Sequence, residues 1–422
     1  MTNPISRRHF LYTAGRALTA TQATRAFGAN QRIRIGIVGL GGRGGDHIGF
    51  FGAAPDCEVA AVCDVDQAAR ERAVVRIRST GQPAPAEYIQ MRDLFAKRDI
   101  EAVTIPLPNH WHALATIWAC QAGKHVYVEK PACHNVFEGL RMIEAARKYG
   151  RIVQVGTQGR SMPHKRRAIE LLREGAIGKL YLAKAVCFKR RKSIGHEPDS
   201  PVPAGVDWDL FLGPAPLRPF NVLRFKYNWH WFWDTGNGDI GNQGVHELDI
   251  ARWALGDAAA PSRVISTGGK YGYVDDRETP NTQYADFEYP EARIAFEARG
   301  LPAGTEGGLP ADRDGNVMGN LFYGSNGWMS LNGNQLRVYA GEGRTVTLEE
   351  KGDESTQPHV LNFLQAVRAG DRNLLNSGIE IGVASATLPH PSPNGSNTQA
   401  MAIRSILAKV MMLTMRSSNR KN

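Results

Sequence analysis

Ile33-Arg34-Ile35-Gly36-Ile37-Val38-Gly39-Leu40-Gly41-Gly42-Arg43-Gly44, followed twenty residues later by Asp64, is the stretch whose reading decides the fold. Residues 32–38 form a β-branched run that stops abruptly at glycine, the pattern of a buried parallel strand. Gly39, Gly41 and Gly44 then spell G-x-G-x-x-G. The first glycine permits a tight turn, the second lets the backbone approach a pyrophosphate, and the third lets the next helix pack on the strand. That helix aims its first N–H groups at the phosphates. Alone, the glycine pattern is a weak signal. It becomes strong because Glu58-Val59-Ala60-Ala61-Val62-Cys63 reads as a second strand ending at Asp64. A carboxylate there accepts hydrogen bonds from both ribose hydroxyls and repels a 2′-phosphate, so the expected cofactor is NAD, with NADP disfavoured. Arg43 and Arg70 are the cations that would soften this preference.

The alternation of strand and helix continues outward. Ala102-Val103-Thr104-Ile105 is a third strand, followed by Pro106-Leu107-Pro108-Asn109-His110-Trp111-His112 and a helix running to Ala122, with Gly123 as its closing residue. His125-Val126-Tyr127-Val128 is a further strand, and Glu129-Lys130-Pro131 follows it directly. Open α/β sheets bind ligands at the carboxyl ends of their strands. Asn109 to His112 and Glu129-Lys130 both fall at such ends.

A chain of 422 residues has room for two to three domains, and 42% hydrophobic with 22% charged residues is ordinary globular composition. No apolar run approaches the length of a spanning helix. The net charge of +10 sits at the ends: residues 1–34 carry six basic side chains and residues 400–422 carry five, with no acid in either stretch. Without these eleven, 40 basic residues face 41 acidic ones, which argues against a nucleic-acid partner. Lys189-Arg190-Arg191-Lys192 is expected to be a solvated loop face. The five cysteines have no C-x-x-C spacing and read as buried free thiols, and no metal site is expected. Ser6-Arg7-Arg8-His9-Phe10-Leu11 matches a twin-arginine export signal, although Arg16, Gln22 and Arg25 interrupt the stretch behind it. The expected division is a signal or disordered tail at 1–30, a Rossmann domain at 31–157, a substrate and oligomerisation domain at 158–390, and a divergent tail at 391–422. The tail begins with the turn-rich Pro391-Ser392-Pro393-Asn394-Gly395.

These pieces resemble the glucose-fructose oxidoreductase and inositol dehydrogenase family (Gfo/Idh/MocA). The resemblance rests on the glycine motif, Cys63-Asp64-Val65-Asp66, Pro108-Asn109 with His112, Ala122-Gly123-Lys124-His125-Val126 running into Glu129-Lys130-Pro131, Val155-Gly156-Thr157-Gln158, and the glycine-rich stretch from Gly236 to Asp249. It implies an α/β fold with an N-terminal Rossmann domain and a C-terminal α/β domain built on a large, mostly antiparallel open sheet. It implies a cofactor site made by Gly39, Gly41, Arg43, Gly44, Asp64, Pro106, Asn109, His112, Glu129, Lys130 and Gln158. Lys130 would contact both the nicotinamide side and the substrate hydroxyl, and His112 would sit in the cleft. In the family an aspartate four residues before the histidine completes the acid/base set. Here His246 fits, but the earlier position is Asn242, and an amide takes no proton. Asp239 is the substitute carboxylate.

Tyr227-Asn228-Trp229-His230-Trp231-Phe232-Trp233-Asp234 packs five aromatic rings into eight residues. Either an alternating strand buries Trp229, Trp231 and Trp233 on one face, or Trp229, His230, Trp231 and Trp233 form a platform for the C–H face of a sugar. A helix from His246 to Trp253 follows, with Leu248 and Trp253 facing the core. Three functions fit. The first is NAD-dependent oxidation of a secondary hydroxyl on a sugar, glycoside or cyclitol. The second is redox-neutral, NAD-dependent glycoside cleavage. The third is sugar binding without catalysis, which Asn242 motivates. The expected partner is a small carbohydrate, and the resemblance implies a dimer or tetramer.

Overall fold

The computed structural model describes residues 32–390 apart from 258, 259 and 344. The export motif and the tail at 391–422 lie outside the described residues. The first half alternates as read: β1 (Ile33–Val38), α1 (Gly42–Gly52), β2 (Cys57–Cys63), α2 (Gln67–Ser79), β3 (Ala86–Tyr88), α3 (Met91–Phe95), β4 (Ala102–Ile105), α4 (Asn109–Gln121), β5 (His125–Val128), α5 (Val136–Lys148) and β6 (Val153–Val155). All six strands run parallel in the order β3-β2-β1-β4-β5-β6. The order reverses between β1 and β4, which opens the crevice where such sheets hold ligands. Burial on both faces explains the apolar strands; Ile35, Ile37, Val62 and Val103 are all sealed from solvent.

The second half contains α6 (Pro163–Arg173), β7 (Leu180–Phe188), α7 (Trp208–Leu212), α8 (Gly238–Asn242) and α9 (Gly244–Ala254). Seven strands follow: β8 (Arg263–Gly269), β9 (Thr282–Glu288), β10 (Arg293–Arg299), β11 (Val317–Gly324), β12 (Gly327–Leu331), β13 (Gln335–Ala340) and β14 (Val346–Lys351). They join β7 in an eight-stranded sheet ordered β14-β13-β12-β11-β7-β10-β9-β8, antiparallel except for the β7–β10 pair. α9 packs on β7 and β10 with Leu248 fully buried and Trp253 half-buried against the same core. Two last helices, α10 (Gln357–Ala369) and α11 (Ile379–Ala386), return to the Rossmann half. Phe363 joins the core beneath β1 and α1, and Val383 packs among the residues of β5, β6 and α5. All five cysteines are buried free thiols, as expected.

Between β7 and α8 the chain makes a long excursion across the Rossmann half. Its aromatic centre stacks Trp208 on Phe211 at 4.9 Å, with Phe220 and Phe225 edge-on. Gly213 (φ +47°) lies so close to Trp111 that a Cβ would sit 1.9 Å from its ring, so only glycine lets the two halves meet there.

Candidate active site

The glycine turn has the shape a pyrophosphate requires. Gly39 adopts φ +98°, and a Cβ on Gly44 would lie 2.0 Å from the Gly39 carbonyl oxygen, so α1 reaches its position only without a side chain there. A Cβ on Gly41 or Gly42 would meet nothing within 4 Å. The backbone therefore faces open space at the amino end of α1, whose first turn has neither a side-chain cap nor an acid. Asp64 grips the turn itself, accepting from Leu40 N–H at 2.6 Å and Asp66 N–H at 2.9 Å. Burial raises its pKa, and these two N–H groups oppose the rise. Pro106 packs against Gly39 and Gly44. Two buried polar atoms, Gln158 Oε1 and Arg43 Nη2, have no partner among the described residues. Buried polar groups are normally paired, so a polar ligand fits here.

Glu129 and His112 were expected to face the cofactor, and both turn inward. Glu129 accepts from Arg43 Nε at 2.8 Å and from His47 Nε2 at 3.0 Å, joining the end of β5 to α1. Burial alone would raise its carboxyl; Arg43 and then His47 outweigh this and hold it well below the usual range. His47 itself is kept neutral by burial, with Thr104 on its other nitrogen. His112 is sealed from solvent, its two ring nitrogens each 2.7 Å from a carbonyl oxygen, of Pro131 and Leu107. Burial lowers its pKa, and a neutral ring donates to only one of the two. It braces the loop that carries Lys130. Asn109 is likewise buried, donating to Asn237 Oδ1 at 2.9 Å across the two halves of the chain. His110 spans the same seam, its Nε2 3.0 Å from the Phe211 carbonyl.

Lys130 is the cation at the centre. Its Nζ donates to the Asn242 carbonyl at 3.0 Å and to Asn242 Oδ1 at 3.2 Å. The amide of Asn242 thus orients the lysine rather than the imidazole. Burial depresses the Lys130 pKa to about 8, with Glu129 opposing and Arg43, Lys189 and Arg191 reinforcing the fall. His246 lies near enough to feel this charge: burial first, and Lys130 second, hold its pKa well below the usual value. Its ring makes no hydrogen bond with the described residues, which leaves a neutral imidazole able to accept a proton.

From Asn242 the network runs outward. Its Nδ2 donates to Tyr227 Oη at 3.3 Å, Arg191 Nη1 donates to the same oxygen at 3.0 Å, and Arg191 Nη2 lies 2.6 Å from Asp239 Oδ1. Asp239 is therefore not a free substitute base; its buried carboxylate is taken by Arg191. Nor is the Lys189–Lys192 run wholly a solvated face. Arg191 is withdrawn because an acid, a phenol and the Trp231 ring, 4.7 Å away, together receive its guanidinium. Trp231 is only 2% exposed, with the guanidiniums of Arg191 and Arg277 4.7 and 4.6 Å from its ring. The alternating strand does not form, since Lys226–Trp231 is a 3-10 turn. Trp229 stacks on His230 at 3.5 Å, while Trp233 is 42% exposed. Trp231 thus drops out of any sugar platform.

Three participants escaped the sequence reading. Tyr227 was counted only as an aromatic, and Arg191 only as charge. Glu247, beside His246, is buried with Oε2 unpartnered, and burial lifts its carboxyl to about 7 against the pull of Lys165. No signal short of the fold pairs Arg191 with Asp239, 48 residues apart.

Residues 33–157 match the model of an oxidoreductase family with an NAD-binding Rossmann fold, and residues 187–271 match that family's C-terminal α/β domain. The chain belongs to the Gfo/Idh/MocA oxidoreductase family. Its parallel-sheet first domain and mostly antiparallel second domain are the two that these models describe. It is 28% identical over 228 residues, 46% of this chain, to a glycosyl hydrolase family 109 protein of Shewanella sp. (strain W3-18-1), and it spans about half (50%) of the length of that relative. The fold is shared with a 3-ketoreductase from Actinomadura kijaniata solved with NADP (TM-score 0.64, 19% identity, covering 86% of this chain and 98% of that one). It is shared also with levoglucosan dehydrogenase solved with NADH and levoglucosan (TM-score 0.63, 17% identity, covering 89% and 98%). No helix among the described residues is long and apolar enough to cross a membrane.

Proposed function

We propose that the protein oxidises a secondary hydroxyl of a sugar, glycoside or cyclitol, with NAD as the preferred cofactor. The observation that carries this reading is the convergence of the Lys130 ammonium, held by Asn242, with the unpartnered neutral imidazole of His246. Gly39, Gly41, Gly44, Asp64, Arg43 and Gln158 would hold the dinucleotide, which supplies a hydride acceptor when bound. Lys130 donates to the hydroxyl oxygen and stabilises the charge that develops on it. His246 takes the hydroxyl proton as the carbon gives up its hydride, so proton and hydride leave together and a ketone remains. Tyr227, bonded to Asn242, would meet the sugar together with the stacked Trp229 and His230 and the exposed ring of Trp233. Asp64 supports NAD over NADP, since its carboxylate has no cation within ion-pair distance among the described residues and Arg70 reaches only its backbone carbonyl.

A second reading rests on the family 109 relatives: glycoside cleavage in which the sugar is oxidised only transiently and no reduced cofactor accumulates. Purified protein incubated with NAD and a panel of sugars separates the two. Net reduced nicotinamide and a keto sugar support the first, and nitrophenol released from a nitrophenyl glycoside without net reduction supports the second. Unchanged turnover in both His246→Ala and Lys130→Ala would sink either. The Ser6–Leu11 motif supports export of the folded, loaded protein to the periplasm. The open face of the eight-stranded sheet supports a dimer or tetramer.

A further inference from the structure

The second half of the chain reaches the nucleotide crevice at a place far from Lys130 and His246. A cavity of about 480 Å³ lies outside the carboxyl ends of β2 and β3. Val65, Gln67, Arg70 and Ile89 form its inner wall, next to Asp64; its outer wall is the segment from Val202 to Asp209. That segment is fastened like an added strand. Gln67 N–H donates to the Gly205 carbonyl at 2.9 Å, Asp207 N–H donates to the Val65 carbonyl at 3.1 Å, and Asp66 and Val206 form an antiparallel bridge. Val65 from the Rossmann half and Val206 from the segment pack on the same aromatic cluster of Trp208, Phe211, Phe220 and Phe225. The fastening is therefore both hydrogen-bonded and apolar.

The ligand chemistry of the cavity also follows from its lining. Asp64 marks the ribose position of a dinucleotide, and the cavity adjoins it on the side away from the glycine turn. Its volume is that of a small-molecule pocket. Arg70 is 9% exposed, donates to the Asp64 carbonyl at 2.6 Å, and has no carboxylate within ion-pair distance among the described residues. Apolar Val65, Ile89 and Val202 supply flat contact for a base, and Arg70 a cation at its edge.

We infer that residues 202–209 are a strap that closes over the adenosine end of the bound dinucleotide, so that the cofactor is retained as a prosthetic group and leaves only when the strap lifts from β2. This rests on the crevice being the dinucleotide site. A passing cosubstrate would have to detach the strap in each cycle, whereas a retained cofactor is regenerated in place. The strap runs into α7, on the same excursion that leads on to α8, the helix that carries Asn242 and Asp239.

Two variants test this by cofactor release, independent of turnover. Pro203 to Val206 is a turn closed by a Val206 N–H bond to the Pro203 carbonyl at 3.2 Å, with Gly205 at φ +79°. Gly205→Pro is incompatible with that dihedral and opens the strap. A Cβ on Gly205 would stand 3.3 Å from Gln67 Cβ, close to disulfide range, so Gln67→Cys with Gly205→Cys locks it; the left-handed dihedral costs that cysteine about 1–2 kcal/mol in the reduced and oxidised forms alike, so their comparison isolates the lock, and the native cysteines are buried and do not compete. The measurement is the dissociation of labelled NAD from the full-length protein into excess unlabelled NAD. Gly205→Pro is expected to release NAD about tenfold faster or more, matching the loss of its backbone bonds, and the oxidised double variant about tenfold slower than its reduced form. Equal release from the oxidised and reduced double variant overturns the strap, even if Gly205→Pro fails to fold. Failure of the unmodified protein to bind NAD at equilibrium overturns the dinucleotide site itself, and is read separately from the rates.

Discussion

Asn242→Asp puts a carboxylate where the amide now meets Lys130 and restores the acid expected from the family pattern. The amide oxygen lies 3.2 Å from Nζ, and the Lys130 pKa stands at about 8. At an effective dielectric of about 20, opposite unit charges about 4 Å apart attract by about 4 kcal/mol. Desolvation of the new carboxylate consumes part of this, and measured shifts for such pairs are about 1–3 pH units. In the proposed reaction Lys130 works protonated and His246 neutral. The native rate profile is then flat at neutral pH, falling on the alkaline side near the Lys130 value and on the acid side only well below the usual histidine range. Asn242→Asp is expected to move the alkaline limb of kcat/KM upward by about 1–3 units. The assay is kcat/KM for sugar oxidation against pH, in both proteins at saturating NAD. An alkaline limb that stays where it was would refute the reasoning, because the titrating group would then not be the lysine held by residue 242.

Other expectations follow from the same contacts. Lys130 has its folded pKa below the unfolded value, so its charge costs stability at and below about pH 8, and the cost is relieved as pH rises from there toward 10.5. Lys130→Met should therefore lose turnover yet unfold about 1–3 kcal/mol harder at pH 7, a gap that closes in alkaline denaturation series. Gly41→Ala, with open space at its Cβ, should leave the apoprotein within about 0.5 kcal/mol of native stability while weakening NAD at least about tenfold by calorimetry. Gly44→Ala, by contrast, must displace α1 and should lower apoprotein stability by about 1–3 kcal/mol. Asp249 lies 2.8 Å from Arg160 Nε and accepts from Ser385, all buried, so Asp249→Ala strips the acceptor from that Nε and from the serine hydroxyl, while Asp257 still holds the two Nη groups. A loss of about 1–3 kcal/mol in urea unfolding is expected, and an unchanged midpoint would refute it.

Local patterns were legible where a short stretch decides its own conformation. The β1 turn follows from glycines whose missing side chains are sterically required, and Gly123 closes α4 with φ +81°, as its place after Ala122 foretold. The second domain's sheet and the pairing of Lys130 with the region around His246 came from family resemblance, because nothing in the spacing of residues 130 and 246 joins them. What stayed hidden was long-range compensation. Arg191 reads as solvated charge until Asp239 and Trp231 are placed beside it, and Glu129 reads as a cofactor ligand until Arg43 and His47 are seen to occupy it. Trp229 to Trp233 misled because alternate aromatics suggest a strand, whereas the turn at Lys226, with φ +51°, starts a 3-10 segment that buries one ring of the three. The strap at 202–209 carries little periodicity, being fastened by backbone bonds that no side-chain pattern records.

The most direct test of the central claim follows the hydride. Sugars deuterated at each secondary carbon in turn are incubated with the full-length protein and NAD, and the nicotinamide is recovered for mass spectrometry. Deuterium on the nicotinamide from one carbon, abolished by His246→Ala, is the expected result. No transfer from any sugar, with NAD shown to be bound, would contradict it.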